Sequence, residues 1–376
     1  MWEVTKNREA NIQIFFTKNI EGEKIFSPIL LANRYELVDI LSADGGFGII
    51  YSAIDRRVCN RKVLVKARRY DNVPGLFLYQ GDEKISSRIE DIRDEIEFEI
   101  FCLKAFKDNG ESRMPTLNDV VNGFCPSIYG PHKDILTGEE FHYNEDNISY
   151  EEPYIIMQYI EGENFQDYSN KRVKQIKENG NNNQLIKQWE YDVLGFALKL
   201  ATVFESFHKK HPIEKGKYVN KYYIYQDLKP SNMIITVGKF LTLLDFGGML
   251  EIWEDSEGNT KSNLKGKGKP GVSTYGYRAP ELSKTSTELS RLDNRVDIYS
   301  FGATIFSMLV GEDLLKILKN ENDPIPLDMV RSFGYSEITY EMLKKCLKIN
   351  KEDRLPDMFS VKTCIYKGLE AIKRGK

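Results

Sequence analysis

The sequence YQDLKPSNMIITVGKFLTLLDFG, residues 225–247, determines how the rest of the chain can be interpreted. It opens with the cluster Asp227-x-Lys229-x-x-Asn232 and ends, eighteen residues after Asp227, with Asp245-Phe-Gly. Two apolar runs, MIIT and FLTLL, lie between the clusters and are joined by a Val-Gly-Lys turn, which predicts a short β-hairpin. Such a hairpin would place a base, a cation and two oxygen ligands side by side.

Composition and charge limit the classes of protein to consider. The chain has 376 residues, 41% of them hydrophobic, and a formal net charge of -3, so no global basic field favours a nucleic acid partner. Its five cysteines are scattered and form no CxxC pair, which predicts neither a disulfide framework nor a zinc site. The N-terminus does not resemble a signal peptide, and the longest apolar run, 301–311, is too short to span a bilayer. We expect a soluble cytoplasmic protein without a membrane segment.

Three short runs upstream of this stretch predict neighbouring strands: ELVDIL, GIIYSAI and KVLVK. The glycine-rich turn 43–48, ADGGFG, joins the first two. Glycines there remove Cβ atoms, so backbone N–H groups can close over phosphate groups. Lys66 ends the third run, eighteen residues after Gly48. A lysine on a strand is usually a solvated edge residue, but here the glycine-rich turn lies one strand away.

A helix is predicted at 88–106, because apolar residues recur there at spacings of three and four. Glu99 falls within the apolar stripe, whereas Glu97 points away from it and Glu95 lies at its margin. A carboxylate on an apolar face needs a cationic partner. We expect Lys66 to be that partner.

Together these motifs resemble the eukaryotic-type protein kinase superfamily. The segment STYGYRAPE, 273–281, is similar to the substrate-positioning segment of that family, and the run from Val296 resembles its buried central helix. Asp297 would then bind the backbone of the catalytic loop, and Arg354 would pair with Glu281. The resemblance implies an α+β, bilobal protein kinase fold with a small β-rich N-lobe, containing one main helix, and a larger α-helical C-lobe. It covers about residues 34–365 and includes five groups of motifs in the family's order.

The resemblance also implies the roles of individual residues. Asp227 would be the base or orienting group, Lys229 would neutralise charge on the transferred group, and Thr274 would position the substrate. Asn232 and Asp245 would bind Mg²⁺. The ATP-binding residues would be Gly45, Gly46, Phe47, Gly48, Ile50, Leu64, Lys66, Glu99, Met157, Gln158, Ile160 and Ile234. The implied activity is ATP- and Mg²⁺-dependent transfer of the γ-phosphoryl group to Ser/Thr hydroxyls of a protein or peptide.

Some positions depart from the family pattern, and two alternatives remain. Ala43 stands in place of the first glycine of the loop, and Leu64 in place of a small alanine, which leaves a pseudokinase or nucleotide-binding scaffold as one alternative. The other is a kinase for a dedicated peptide or small molecule, because the region around Lys66 loosely resembles kinase domains of bacterial lanthipeptide synthetases. Gln226 replaces the arginine of the family's His-Arg-Asp. Without that cation a phosphate on the activation segment loses its dock, so we expect activity not to require such phosphorylation.

The domain prediction follows from the extent of the motifs. Residues 1–33 form an N-terminal extension, residues 34–365 the kinase domain, with lobes of about 34–159 and 160–365, and residues 366–376 a tail. Within this domain the sequence predicts a long polar connection at 107–152. Residues 251–270, acidic first and then lysine-rich, read as a mobile, solvated loop whose lysines could attract acidic substrates or partners.

Overall fold

The structure of the protein is a computed structural model. In it the chain divides into two compact units, residues 1–160 and 161–376. The structure describes residues 2–6, 14–20, 23–28, 30–42, 48–68, 96–106, 113–123, 132–133, 140–141, 152–262, 274–283, 292–320 and 323–374.

The first unit is built mainly of antiparallel strands. Residues before Leu30 form a three-stranded sheet in the order β1-β2-β3, and a second, six-stranded sheet has the order β4-β5-β6-β7-β11-β8. The strands are β1 (Trp2–Lys6), β2 (Ile14–Ile20), β3 (Glu23–Pro28), β4 (Leu30–Leu31), β5 (Tyr35–Ser42), β6 (Gly48–Asp55), β7 (Arg61–Arg68), β8 (Leu117–Gly123), the short pair β9 (His132–Lys133) and β10 (Glu140–Phe141), and β11 (Glu152–Gln158).

The three strands predicted around the glycine-rich turn are present as β5, β6 and β7. Along β6 half-buried and buried residues alternate without a break, as expected for a strand with one face on a core. The buried face packs Tyr35, Tyr51, Val63, Val65 and Ile156 together.

The prediction of a connection at 107–152 is wrong for part of its length, because β8 lies within it. This strand pairs with β11 at the edge of the six-stranded sheet. Its Asp119 accepts hydrogen bonds from the Tyr35 hydroxyl at 2.8 Å and from Arg34 at 3.3 Å. These polar contacts explain how a strand rich in Asn and Asp is held in the sheet, and why its composition resembles a loop.

The helix of the first unit, α1, covers residues 96–106. The buried side chains Ile96, Glu99, Cys102, Leu103 and Phe106 share one face of it. This is the predicted stripe, with Glu99 inside it. The first part of the predicted helix, residues 88–95, lies outside the described residues.

Helices dominate the second unit, and its centre is a helix buried along nearly its whole length, α4. The helices are α2 (Phe165–Glu178), α3 (Asn183–His208), α4 (Arg295–Val310), α5 (Leu314–Ile317), α6 (Asp328–Ser332), α7 (Glu337–Cys346) and α8 (Met358–Lys373). Gly302 of α4 allows a close approach, because a Cβ atom there would lie 2.7 Å from the Cβ of Cys346.

Two small antiparallel sheets position the central stretch of the sequence. The predicted hairpin is present as β15 (Met233–Ile235) and β16 (Leu241–Leu243), joined on one side by β12 (Glu163–Asn164). The other sheet has four strands in the order β13-β14-β17-β18. They are β13 (His211–Lys215), β14 (Tyr218–Ile224), β17 (Leu250–Asp255) and β18 (Thr260–Ser262).

The four-stranded sheet corrects the prediction of a solvated loop at 251–270. Residues 251–262 form most of β17 and all of β18, and residues 263–270 lie outside the described part of the chain. Leu250 and Ile252 point into a core with Tyr222 and Ile224. The residues that alternate with them are polar or aromatic and point the other way, so a one-sided strand was mistaken for a loop.

Candidate active site

Asp297 of the buried helix α4 fixes the backbone of the loop that follows β14. Its side chain is fully buried. One carboxylate oxygen accepts from the N–H of Tyr225 and the other from the N–H of Gln226, both at 2.9 Å. The Nε2 of His208 lies 2.9 Å from the oxygen bonded to Tyr225. The structure thus contains the contact predicted for Asp297 and adds His208 to it.

Three side chains converge immediately after this loop. Asp227 is 6% exposed, and its Oδ1 accepts from the N–H of Thr274 at 2.8 Å and from the Thr274 hydroxyl at 2.7 Å. Lys229 places its Nζ 3.0 Å from Asp227 Oδ2 and 2.5 Å from Thr274 Oγ1. A carboxylate held by two donors and a neighbouring cation can receive a proton and balance negative charge in one place.

Asn232 and Asp245 are brought together by the hairpin of β15 and β16. The Nδ2 of Asn232 donates to the backbone carbonyl and to Oδ2 of Asp227, at 2.9 and 3.0 Å, which leaves its amide oxygen as the atom able to ligate a cation. The carbonyl of Asn232 accepts from the N–H of Leu244 at 2.8 Å, directly before Asp245. Asp245 is exposed and adopts a left-handed conformation with φ 58°.

The donor set of these two residues fits a hard divalent cation. An amide oxygen and a carboxylate are the oxygen ligands that such an ion takes when phosphates and water complete its shell. Among the described residues, no group of three or more His, Cys, Asp or Glu side chains could hold a metal ion by itself.

Lys66 and Glu99 form a buried ion pair in the first unit. Their Nζ and Oε2 atoms are 2.6 Å apart, and the two residues are 8% and 1% exposed. Glu97 is exposed, as expected, and Glu95 lies outside the described residues. A Cβ atom at Gly48 would lie 3.0 Å from Lys66 Cε, so the glycine admits the lysine stem beside it.

The remaining residues predicted to bind ATP are placed as follows. Leu64 and Met157 are direct partners across β7 and β11. The backbone N–H of Gln158 donates to the Thr116 carbonyl at 2.9 Å, which leaves the carbonyl as the backbone group of Gln158 able to serve a ligand. Ile50 on β6 pairs with Lys66, Ile160 follows β11 and Ile234 lies on β15. Gly45, Gly46 and Phe47 lie outside the described residues, as does Ala43, the position that departs from the family pattern.

Gln226 makes a contact that its sequence position does not reveal. Its backbone has φ 69°, its side chain is buried, and its Nε2 donates to the Gly248 carbonyl at 2.5 Å. The Tyr225 hydroxyl donates to the Leu244 carbonyl, and the rings of Tyr225 and Phe246 are 5.7 Å apart. Two consecutive residues before Asp227 therefore hold the backbone on both sides of Asp245. Side-chain contacts with a backbone carbonyl have no sequence signature.

The segment that begins at Thr274 is anchored at its other end by an ion pair. Arg354 donates from both terminal nitrogens to the two oxygens of Glu281, at 2.6 and 2.7 Å. Arg354 also donates to the backbone carbonyls of Lys348, Ile349 and Arg295. The pair predicted from the sequence is present, and it is buried and bidentate.

The helices that the structure describes include none long and apolar enough to cross a membrane.

Comparison with known proteins gives a consistent family. A family model described as "Protein kinase domain" matches residues 99–363, so the match begins at Glu99 and does not include Lys66. The chain is 26% identical over 287 residues to serine/threonine-protein kinase A of Synechocystis sp., which covers 75% of this chain and 42% of that protein. It is 24% identical over 284 residues to a probable serine/threonine-protein kinase of Clostridium perfringens, covering 75% of this chain and 29% of the relative.

A shorter part of the chain is similar to a human protein. The chain is 29% identical over 147 residues to serine/threonine-protein kinase tousled-like 1 of Homo sapiens, covering 35% of this chain and 18% of the relative. The chain thus spans less than half the length of each of these three relatives.

Proposed function

Because the chain belongs to the protein kinase family, we propose that it transfers the γ-phosphoryl group of ATP to serine and threonine hydroxyls of a protein substrate. A protein kinase domain implies ATP, a divalent metal ion and a protein substrate. The observation that carries the proposal is the cluster of Asp227, Lys229 and Thr274, in which one carboxylate is oriented by two donors and one cation. The contact between Lys229 and Thr274 supports Ser/Thr specificity, because both residues resemble those of Ser/Thr kinases.

The chemistry follows from the positions of these groups. Asp227 orients the attacking hydroxyl and accepts its proton, while Thr274 keeps the carboxylate in place. Lys229 supplies positive charge where the transferred group develops negative charge. Phosphoryl transfer requires little more from the protein, since its catalysis consists mostly of positioning and charge neutralisation.

The nucleotide and its ion have their own residues. Asn232 and Asp245 would hold Mg²⁺, which neutralises phosphate charge when it is bound. Lys66, kept in position by Glu99, would bind the phosphates of ATP. The remaining residues proposed to surround the nucleotide are Gly45, Gly46, Phe47, Gly48, Ile50, Leu64, Met157, the carbonyl of Gln158, Ile160 and Ile234. The proposal keeps residues 34–365 as the limits of the kinase domain and the cytoplasm as its location.

Regulation of this site is proposed to be independent of phosphorylation. Gln226 carries no charge for a phosphate, and its side chain is already bonded to the Gly248 carbonyl. A neutral bond of this kind holds the segment without a modification. We expect full activity after phosphatase treatment of a Ser262→Ala/Ser273→Ala variant with Thr274 intact. Loss of activity in the phosphatase-treated variant would disprove the proposal that activity does not require phosphorylation.

The central experiment measures phosphoryl transfer from γ-labelled ATP in the presence of Mg²⁺, with generic protein substrates and with the chain alone. The Asp227→Asn variant keeps the shape of the side chain and loses its charge. We expect transfer to serine and threonine in the native protein and a loss of about 100-fold or more in the variant. ATP binding, measured by calorimetry, should remain in both proteins. Binding without transfer would indicate a pseudokinase, and transfer only to a metabolite would indicate a small-molecule kinase.

A further inference from the structure

The outward face of the four-stranded sheet carries a row of basic and aromatic residues. Lys221 on β14, Trp253 on β17 and Lys261 on β18 are direct partners across three adjacent strands. Residues paired in this way project from the same face of a sheet. The neighbouring row contains Tyr222 and Ile252, which are buried in the core. Because successive side chains alternate between faces, the row with Trp253 points away from that core.

A fourth residue, Lys215 at the end of β13, completes this surface. Its Nζ lies 3.6 Å from the centre of the Trp253 ring, and the ring of Tyr218 lies 6.3 Å from the same ring. Lys215 and Lys261 are exposed, and Trp253 is half-buried. We call Lys215, Lys221, Trp253 and Lys261 the basic face.

Acidic residues compensate this charge only in part. Lys221 donates to Glu251 at 3.0 Å, whereas Glu254 alternates to the opposite side of β17 and pairs there with another lysine. In the parts of the chain that the structure describes, neither Lys215 nor Lys261 contacts a carboxylate. Asp255, on the same side of β17 as Trp253, lies 3.2 Å from the Nζ of a further lysine, Lys217, and these two charges offset each other. The three lysines of the basic face and Glu251 therefore leave the surface positively charged, although the whole chain carries a formal charge of -3.

Strand β14 connects the basic face directly to the catalytic loop along the chain. Strand β14 ends at Ile224, and Asp227 follows three residues later. Six residues separate Lys221 from Asp227, which corresponds to at most about 20 Å of extended chain. A polypeptide whose acceptor hydroxyl lies at Asp227 therefore reaches the basic face with a spacer of about six residues or more.

We propose that the basic face is a docking site for an acidic segment of the protein substrate, separate in sequence from the residue that receives the phosphoryl group. This inference rests on the proposed kinase function and adds the class of substrate to it. Lysine side chains on both sides of a half-buried tryptophan provide charge for carboxylates and a flat apolar surface for the stems that carry them. A short acidic segment needs only these lysines. A nucleic acid carries charge along its whole length and would be repelled by the remaining acidic surface.

The test uses synthetic acceptor peptides with and without a tract of six glutamates. The tract is separated from the acceptor serine by a Gly-Ser spacer of four, eight or twelve residues. With the two longer spacers we expect a KM about tenfold lower than that of the peptide without glutamates, and the same kcat. A difference of this size is what a few exposed ion pairs provide. The gain should diminish as KCl is added, because salt screens exposed charges.

Charge-reversal variants connect the effect to the basic face. In the Lys215→Glu/Lys261→Glu variant the gain should disappear, while kcat and KM for the peptide without glutamates remain those of the native protein. The control Lys187→Glu/Lys316→Glu makes the same change of charge on α3 and α5 and should retain the gain. Activity on the peptide without glutamates tests the proposed kinase function alone. Failure of the kinase proposal can therefore be distinguished from failure of the docking proposal.

Three results would overturn the docking site. The first is a glutamate tract without effect on KM in a protein that phosphorylates the shorter peptide. The second is a gain that survives in the Lys215→Glu/Lys261→Glu variant. The third is a higher affinity of the basic face for a single-stranded oligonucleotide than for a glutamate peptide of the same charge that lacks an acceptor. That result would assign the face to nucleic acid.

Discussion

Replacement of Asp297 by asparagine tests whether one buried carboxylate positions the catalytic loop. Asp297 is fully buried, and its oxygens lie 2.9 Å from the N–H nitrogens of Tyr225 and Gln226 and from the Nε2 of His208. Asparagine has nearly the same shape, so the packing around α4 should be retained. Asparagine lacks the negative charge of aspartate. One of its two side-chain polar atoms is an N–H donor, which would face a backbone N–H of the loop.

The magnitude follows from the two contacts with backbone N–H groups. A hydrogen bond to a charged acceptor contributes about 1.5–3 kcal/mol, and a buried donor left without an acceptor costs about 1–3 kcal/mol. Asp297→Asn weakens one bond and abolishes the other, so we expect about 3 kcal/mol less free energy for ordering the loop. Since 1.4 kcal/mol corresponds to a factor of ten, this is a change of roughly 100-fold in the equilibrium between ordered and disordered loop.

Two measurements report this change. Hydrogen exchange of the Tyr225 and Gln226 amides should accelerate by roughly 100-fold, because their acceptor is altered. The kcat for peptide phosphorylation should decrease as well, while the far-UV circular dichroism spectrum stays unchanged. The exposed Asp353→Asn variant is the control and should leave both quantities at native values. Unchanged amide protection and kcat in Asp297→Asn would refute the proposed positioning by Asp297.

Three further changes probe the ion pairs of both units. Glu99→Gln removes the negative charge that lies 2.6 Å from the Nζ of buried Lys66 and should weaken ATP binding at least about tenfold in calorimetry; unchanged affinity would contradict the role of the pair. The hydrogen bond from Arg34 holds the pKa of Asp55 below its ordinary value of 3.8. Ionised Asp55 therefore stabilises the fold fully above pH 3.8, and this stabilisation is lost as the pH falls through the lowered pKa. The difference in unfolding free energy between the native protein and Asp55→Asn should accordingly disappear in strong acid. Arg354→Lys cannot make the bidentate pair, and a lower melting temperature should show this.

Local patterns in the sequence were sufficient to predict two structural features of the candidate site. The spacing of three and four residues in α1 placed Glu99 on the buried side, and the structure pairs it with Lys66. The two apolar runs around the Val-Gly-Lys turn predicted the β15–β16 hairpin that brings Asn232 and Asp245 together. Both predictions depend on periodicity and turn chemistry within a few residues, which a single sequence contains.

Strands stabilised by distant partners were not found in this way. β8 contains Asn and Asp and is held by its pairing with β11 and by the contact of Asp119 with Tyr35, which is 84 residues away. β17 and β18 expose one polar face, so their composition resembles that of a solvated loop. The contact between Gln226 and Gly248 was also missed, because a glutamine that bonds to a backbone carbonyl leaves no pattern in the sequence.

The strand pairs around the catalytic residues have a consequence for how the protein opens. β15 and β16 form an inner antiparallel ladder, and β14 and β17 form an outer one from the segments on either side of it. Asp227 and Asp245 lie in the two connections between the inner and outer ladders. The paired residues lie between 6 positions apart, for Ile235 and Leu241, and 37 positions apart, for Tyr218 and Asp255, within one continuous segment of the chain, so the two ladders can form and separate as one cooperative unit. A fluctuation that opens the outer ladder would therefore loosen both connections at once, so the proposed proton acceptor Asp227 and the proposed metal ligand Asp245 would lose and regain their positions together.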